Sequence, residues 1–282
     1  MPFVQVYGVA LLVILGCMLV LWLVSLCLKN SSIADIFWGL GFVIATWIYF
    51  CLSPDGFPLR KWLVSILVTL WGLRLSVHIL WRNWGCPEDF RYQVWRKKAG
   101  ARWGWQSLFK VFLQQGLLIW MISAPLLAAQ QGAKPAHLIL FEFLVVGVWG
   151  IGFFFESVGD FQLARSRADP ANEGKIMDRG LWRWTRHPNY FGDSLQWWGF
   201  FMVAAFTGGW WTIFSPILMT LLLLRVSGVV HLERTLKTRP GYTEYIQKTS
   251  AFIPWLPRKK QIHHHPVFLR VFLGTPLFRI IS

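Results

Sequence analysis

The sequence predicts an all-α protein, a polytopic integral membrane bundle of about seven transmembrane helices with its N-terminus outside and its C-terminus in the cytosol. Three observations predict it. Apolar runs long enough to cross a bilayer recur along most of the chain, near 4–28, 33–52, 59–81, 105–129, 137–158, 190–206 and 210–232. Of the 282 residues 55% are hydrophobic and 15% charged, and several of the 19 tryptophans stand near the ends of the runs, as in an interfacial aromatic belt. Lys and Arg crowd into the connections 82–104 and 159–189 and the C-terminal tail, together with Lys29, whereas the alternate connections hold only Arg60, Lys61 and Lys134. That is the positive-inside pattern. Such a composition excludes a soluble globular fold. The net charge of +15 therefore sets topology rather than marking a nucleic-acid binder, and it attracts anionic headgroups or nucleotide phosphates.

Each element follows in order. Residues 1–28 form an uninterrupted apolar helix with no basic n-region and no small-residue cleavage site, which reads as a retained, peripheral span. Asn30-Ser31-Ser32 caps the second span, and Asp35 sits one turn inside it. That carboxylate either caps the helix or binds Lys29 at the interface, or else faces a cavity with Arg74 as its natural partner. Trp38, Gly39 and Gly41 suit close helix packing. The turn Ser53-Pro54-Asp55-Gly56 leads into a third span that carries Arg74 and His78 four residues apart on one face. These face the bundle interior or snorkel towards the basic side.

Residues 82–104 lack apolar periodicity. They read as a loop lying partly on the membrane surface, or, through Glu88, Asp89, Arg91 and Tyr92, as the border of a ligand mouth. Span four ends at Ala124-Pro125. Span five carries Glu142 and the glycines Gly147, Gly150 and Gly152, which lack the strand–turn–helix setting of a dinucleotide fingerprint and read as helix contacts. Glu156 and Asp160, four apart, carry this helix out of the membrane. Cys17, Cys27, Cys51 and Cys86 show no metal-ligand spacing, so free thiols and no metal site are expected. Three sections result: helices one to five over 1–158, taken as the lipid-substrate side; a cofactor-binding loop, helices six and seven and a closing segment over 159–257; and a basic, interfacial tail over 258–282, with His263-His264-His265.

The longest polar interval, Asp160 to Asp193, holds Arg165, Arg167, Lys175, Arg179, Arg183 and Arg186 among Asp160, Asp169, Glu173 and Asp178. Guanidinium groups are the best ligands for a pyrophosphate or 2′-phosphate. Asn172, Asn189 and Tyr190 add neutral hydrogen bonds, and Pro188 opens a helix whose N-terminus favours an anion. The interval points to a ligand carrying several phosphates.

The stretch GLWRWTRHPNYFGDSLQWWGFF from Gly180 to Phe201, and the tail from Pro240 to Pro254, resemble the steroid 5α-reductase C-terminal superfamily over about residues 30–257. The similarity is nearest to its bacterial, largely uncharacterised branch. Relatives of that superfamily include sterol reductases and isoprenylcysteine carboxyl methyltransferases. The resemblance implies NADPH held in the C-terminal half and a location in the bacterial inner membrane. By motif it assigns cofactor contacts to Asp160, Arg165 and Arg167, to Asn189, Tyr190 and Asp193, and to Arg225 and His231. Asn172, Lys175, Arg179, Arg186 and His187 join them from the basic interval. Those reductases also use a Gln-Glu pair on an N-terminal span together with a Tyr to polarise an enone carbonyl. No Gln-Glu stands in the first three spans here, which leaves Asp35, Glu142 and Tyr92 as candidate catalytic donors, with Tyr49 as another nearby phenol. The expected function is NADPH-dependent reduction of a carbon–carbon double bond in a steroid-like or other unsaturated lipid, with membrane lipids around it and no nucleic-acid partner. Two alternatives remain: an S-adenosylmethionine-dependent methyltransferase of the isoprenylcysteine type, for which Arg-His-Pro and Leu232-Glu233-Arg234 speak, and a non-catalytic lipid-binding protein.

Overall fold

The computed structural model describes residues 1–137, 140–226 and 239–257. Its regular elements are helices, and no strand occurs among the described residues. In chain order they are α1 (Phe3–Leu28), α2 (Ile33–Leu52), α3 (Pro58–Asn83), α4 (Phe90–Ala99), α5 (Trp103–Ser107), α6 (Gln114–Ile122), α7 (Ala124–Gln131), α8 (Leu140–Ala168), α9 (Pro188–Ala204), α10 (Phe214–Leu221) and α11 (Tyr242–Lys248). Six helical stretches among the described residues are long and apolar enough to cross a membrane: α1, α2, α3, the run Phe90–Gln131, α8 and the run Pro188–Arg225. This is the architecture of a multi-pass membrane protein. His231, the tail from 258 and the end of the seventh expected span lie outside the described residues.

Two of the runs depart from straight helices, for local reasons. Phe90–Gln131 begins with α4, a helix that the sequence hid because its residues are polar rather than periodic. Asp89 starts it by accepting the Arg91 backbone N–H at 2.9 Å. In Pro188–Arg225, Gly208 takes φ 94°, a conformation that suits glycine, and interrupts the helix. The chain then returns alongside α9: Ser194 Oγ and Thr220 Oγ1 are 2.7 Å apart, and Trp198 Nε1 donates to the same Thr220 oxygen.

Packing follows the apolar stripes. On α1 the buried residues Val6, Ala10, Ile14 and Met18 recur every four positions, so one narrow stripe is inside and the rest of the helix is peripheral. α2 and α3 touch backbone to backbone, since a Cβ on Gly39 would collide with the Gly72 carbonyl and a Cβ on Gly72 with that of Gly39. The most extensive helix contact joins α8 and α9. Of the three glycines expected to mediate helix contact, only Gly152 does; it faces Gly192, while Gly147 and Gly150 face open space. An aromatic core of Phe42, Trp71 and Trp197 fills the centre, the two indoles edge-to-face with centroids 5.5 Å apart.

Charge separates the two ends. The C-terminus of α1, the C-terminus of α3, α4, the C-terminus of α8 and α11 meet at one end, together with the basic connections. At the other end Arg60 and Glu142 form a fully buried pair with a 2.5 Å contact, and Lys61 donates to the Ser53 carbonyl.

Candidate functional site

Two polar clusters lie near the basic end, each assembled from helices far apart in sequence. In the first, three helices each offer a pair at i, i+4 spacing, which puts both members on one face. They are Arg74 and His78 on α3, Glu156 and Asp160 on α8, and Asn189 and Asp193 on α9. Arg74 forms ion pairs with both Glu156 and Asp160. Asn189 Nδ2 donates to Asp160 Oδ1 at 3.0 Å, and His78 Nε2 lies 3.7 Å from Asp160 Oδ2. Glu156 further accepts from Trp71 Nε1 at 3.0 Å and from Gln196 Nε2 at 2.6 Å. A buried charge survives only when paired and hydrogen-bonded, and this set meets that condition for Glu156 and Asp160.

The second cluster centres on Asp35. Its Oδ1 accepts the Tyr92 hydroxyl at 2.6 Å and Gln115 Nε2 at 2.9 Å, while Oδ2 accepts Arg91 at 2.9 Å. Gln115 Nε2 also reaches the Tyr92 oxygen at 3.2 Å. Tyr92 is buried, so its phenol is an oriented donor rather than a solvated one. Tyr190 lies within electrostatic range of both clusters, of Asp160 from the first and Arg91 from the second, and of Arg82 and Arg167. Arg167 in turn has Arg82 and Arg239 as like-charged neighbours, and none of these three guanidinium groups is ion-paired among the described residues.

The remaining expected residues separate into three groups. Asp35 and Tyr92 come together; Glu142 does not join them, being held by Arg60 at the opposite end. The expected Asp35–Arg74 pair is replaced by Asp35–Arg91 and by Arg74 with the α8 acids. Tyr49 is buried against Ser123, 2.7 Å away, outside both clusters. Arg186 is a latch, donating to the carbonyls of Thr249 and Ile246. His187 stacks on Tyr190 with centroids 5.5 Å apart. Asn172 donates to Asp169, and Arg165, Lys175, Arg179 and Arg225 are exposed. Sequence reasoning missed Gln115, Gln196 and Arg82. Gln115 left a signal, an amide inside an apolar run, where polar side chains rarely face lipid.

Between the clusters and solvent, α4 is anchored by two acids. Glu88 accepts the Ser31 backbone N–H at 2.7 Å and Arg96 Nη2 at 2.7 Å. Burial would raise the Glu88 carboxyl, but Arg96 and the Ser31 N–H outweigh it and hold it below the ordinary range. Asp89 is lowered likewise, burial being overcome by the Arg91 guanidinium and backbone N–H. Carboxyls lowered in the folded state stabilise it fully above the ordinary carboxylate range of about 4, and lose that contribution as pH falls through the lower folded values. Hydrogen-exchange protection of residues 86–99 is therefore expected to drop as pH falls below about 4, before that of α1. Equal protection at pH 6 and pH 3 would remove these acids as the anchor.

A model of one protein family, described as a protein of unknown function (DUF1295), matches residues 21–249. An uncharacterized protein from Schizosaccharomyces pombe is 25% identical over 284 aligned positions, covering 90% of this chain and 80% of the relative. No solved structure matches.

Proposed function

The chain belongs to this family of unknown function, and within it we propose a membrane-embedded, NADPH-dependent reductase of a carbon–carbon double bond conjugated to a carbonyl, acting on a steroid-like or other unsaturated lipid. One observation carries the reading. A part-buried Asp35–Tyr92–Gln115 donor set and the Asp160–Asn189 cluster both lie near the basic end, where Tyr190 feels Asp160, Arg91, Arg82 and Arg167, and Arg167 feels Arg82 and Arg239. Acid, amide and phenol are the groups by which the resembling reductases polarise an enone, and here the amide comes from α6 rather than from an N-terminal span.

The residues fit the cofactor. Asn189 Oδ1 is buried with no hydrogen-bond partner among the described residues, and so are Asp193 Oδ1 and Gln196 Oε1. Such orphaned acceptors suit the carboxamide of a nicotinamide, and the three unpaired guanidinium groups suit its phosphates. NADPH bound there would supply the hydride. The chain's own part is electrostatic. Tyr92, steadied by Asp35 and Gln115, donates to the carbonyl oxygen and stabilises the charge that develops on it when hydride reaches the β-carbon. A proton then completes the α-carbon.

The topology in this reading has seven crossings, the run from Pro188 counting twice because it folds back at Gly208. The N-terminus lies outside and the basic end in the cytosol, as the charge asymmetry supports. The nucleotide enters from the basic end and the lipid sideways from the bilayer.

The full chain in mild detergent, titrated with NADPH, NADH and S-adenosylmethionine, tests the reading. NADPH is expected to bind tightest, and Arg82→Ala or Arg167→Ala to weaken it roughly tenfold each, the loss of a charge-assisted contact. Preference for S-adenosylmethionine would overturn the reductase in favour of a methyltransferase. Binding of none of the three would leave a lipid-binding protein.

A further inference from the structure

We propose that His78 and Asp160 form the entry of a proton path from the basic end to the buried carboxyls Glu156 and Asp193, and that Asp193 is where the proton is held. That this path reloads the acid used in reduction rests on the reading above; the path itself does not.

Exposure falls step by step along it. The His78 side chain is 17% exposed, Asp160 10% and Glu156 4%. His78 lies five residues before the end of α3 at Asn83, about 8 Å along the axis from the basic end at 1.5 Å per residue. Its Nε2 is 3.7 Å from Asp160 Oδ2, and Asp160 and Glu156 sit one turn apart sharing Arg74. Asp193 adjoins Glu156 where α8 and α9 touch, Gly192 pressing on the Glu156 backbone. The charged and titratable neighbours are few. Around His78 they are Asp160, Arg74 and Arg82, and around Asp160 they are Arg74, His78, Glu156, Asp193 and Tyr190, with Asn189 as a neutral donor.

Hydrogen bonding places the proton. Glu156 is ion-paired with Arg74 and accepts from Trp71 and Gln196, and Asp160 accepts from Arg74 and Asn189. Both are thus held as carboxylates sharing one guanidinium. Asp193 is buried, its Oδ1 has no partner among the described residues, and its neighbour Trp197 offers only a neutral indole N–H. A third negative charge there would have no cation left to offset its desolvation, whereas a proton on Asp193 removes the charge at source. Each reduction adds a hydride to the β-carbon and a proton to the α-carbon, so every turnover draws one proton from water. A dry acid needs a route to replace it.

Infrared spectroscopy of the full chain in detergent tests the path without substrate or cofactor. A protonated-carboxyl stretching band is expected, absent in Asp193→Asn. On transfer to D2O the band shifts as the proton exchanges, and His78→Gln is expected to slow that exchange about a hundredfold, the low end of what a positioned proton carrier contributes. Asp160→Asn, which breaks the path while keeping His78, is expected to slow it similarly. A band that survives Asp193→Asn overturns the assignment of the proton, and wild-type exchange rates in folded His78→Gln and Asp160→Asn overturn the path. NADPH titration of the same samples judges the reductase reading separately: without NADPH binding, slowed exchange still establishes the path.

Discussion

Arg60→Met is expected to destabilise the protein by about 3–5 kcal/mol, the cost of removing one partner of a buried ion pair. Arg60 is 0% exposed and Glu142 1%. The guanidinium meets Glu142 Oε1 through Nε at 2.5 Å and spends its other nitrogens on the carbonyls of Gly132 and Pro135, each at 2.9 Å. One side chain thus ties α3, the 132–135 turn and the start of α8 together. Met keeps an unbranched apolar stem but is shorter and offers no donor, so Glu142 and two carbonyls lose this partner together. Arg60→Lys is also expected to lose stability, because a point charge cannot reproduce a three-way planar fork. Thermal unfolding in a fixed detergent reads both effects, and an unchanged midpoint for Arg60→Met would sink the account. The same pair holds Glu142 at the end opposite Asp35 and Tyr92, so the proposed reaction gives it no part. NADPH binding by folded Glu142→Gln is expected to match wild type.

That contrast shows what the sequence could carry. Hydropathy and the placement of Lys and Arg identified the membrane helices and separated the two ends, because both signals are local and summed over many residues. The i, i+4 pairs Arg74/His78 and Glu156/Asp160 were legible for the same reason, as spacing on one helix. Which pair meets which was not. Asp35 and Arg74 looked complementary, yet tertiary packing gives Arg74 to α8 and Asp35 to Arg91. Gln115 stands eighty residues from Asp35 and reaches it only after α6 packs against α2. The polar interval shows a different limit. Of its five expected basic contacts, Arg165, Arg167, Lys175, Arg179 and Arg186, packing gives Arg186 to two backbone carbonyls and leaves Arg165, Arg167, Lys175 and Arg179 exposed. Arg82, in a stretch read either as surface loop or as the border of a ligand mouth, stands in the last turn of α3, within electrostatic range of Arg167. A charge count locates an end of the molecule; it does not choose among its arginines.

The largest functional effect is expected at Tyr92. Its hydroxyl donates to Asp35 at 2.6 Å and lies 3.2 Å from Gln115 Nε2, so two groups fix one phenol in a buried position. A fixed donor needs little reorganisation when negative charge develops on a carbonyl oxygen, which is the condition under which a hydrogen bond lowers a barrier most. Asp35 keeps its Arg91 and Gln115 contacts if the Tyr92 hydroxyl turns to the substrate, so nothing buried is stranded by the exchange. Tyr92→Phe removes one oxygen and is expected to lower kcat by about 10²–10⁴ while leaving NADPH affinity unchanged. Asp35→Asn keeps the shape but offers Tyr92 a weaker acceptor and leaves Arg91 without its Asp35 partner. It is expected to lower kcat less than Tyr92→Phe and to cost stability more. The measurement is oxidation of NADPH driven by a panel of α,β-unsaturated ketone lipids, with thermal unfolding run alongside. Wild-type turnover in Tyr92→Phe would move the donor elsewhere. Gln115→Leu sharpens the test, because it removes the amide that steadies both partners and leaves the phenol in place. A fall in kcat without a change in NADPH affinity would identify Gln115 as a positioning residue for this donor, whereas unchanged turnover would leave Asp35 alone in that role.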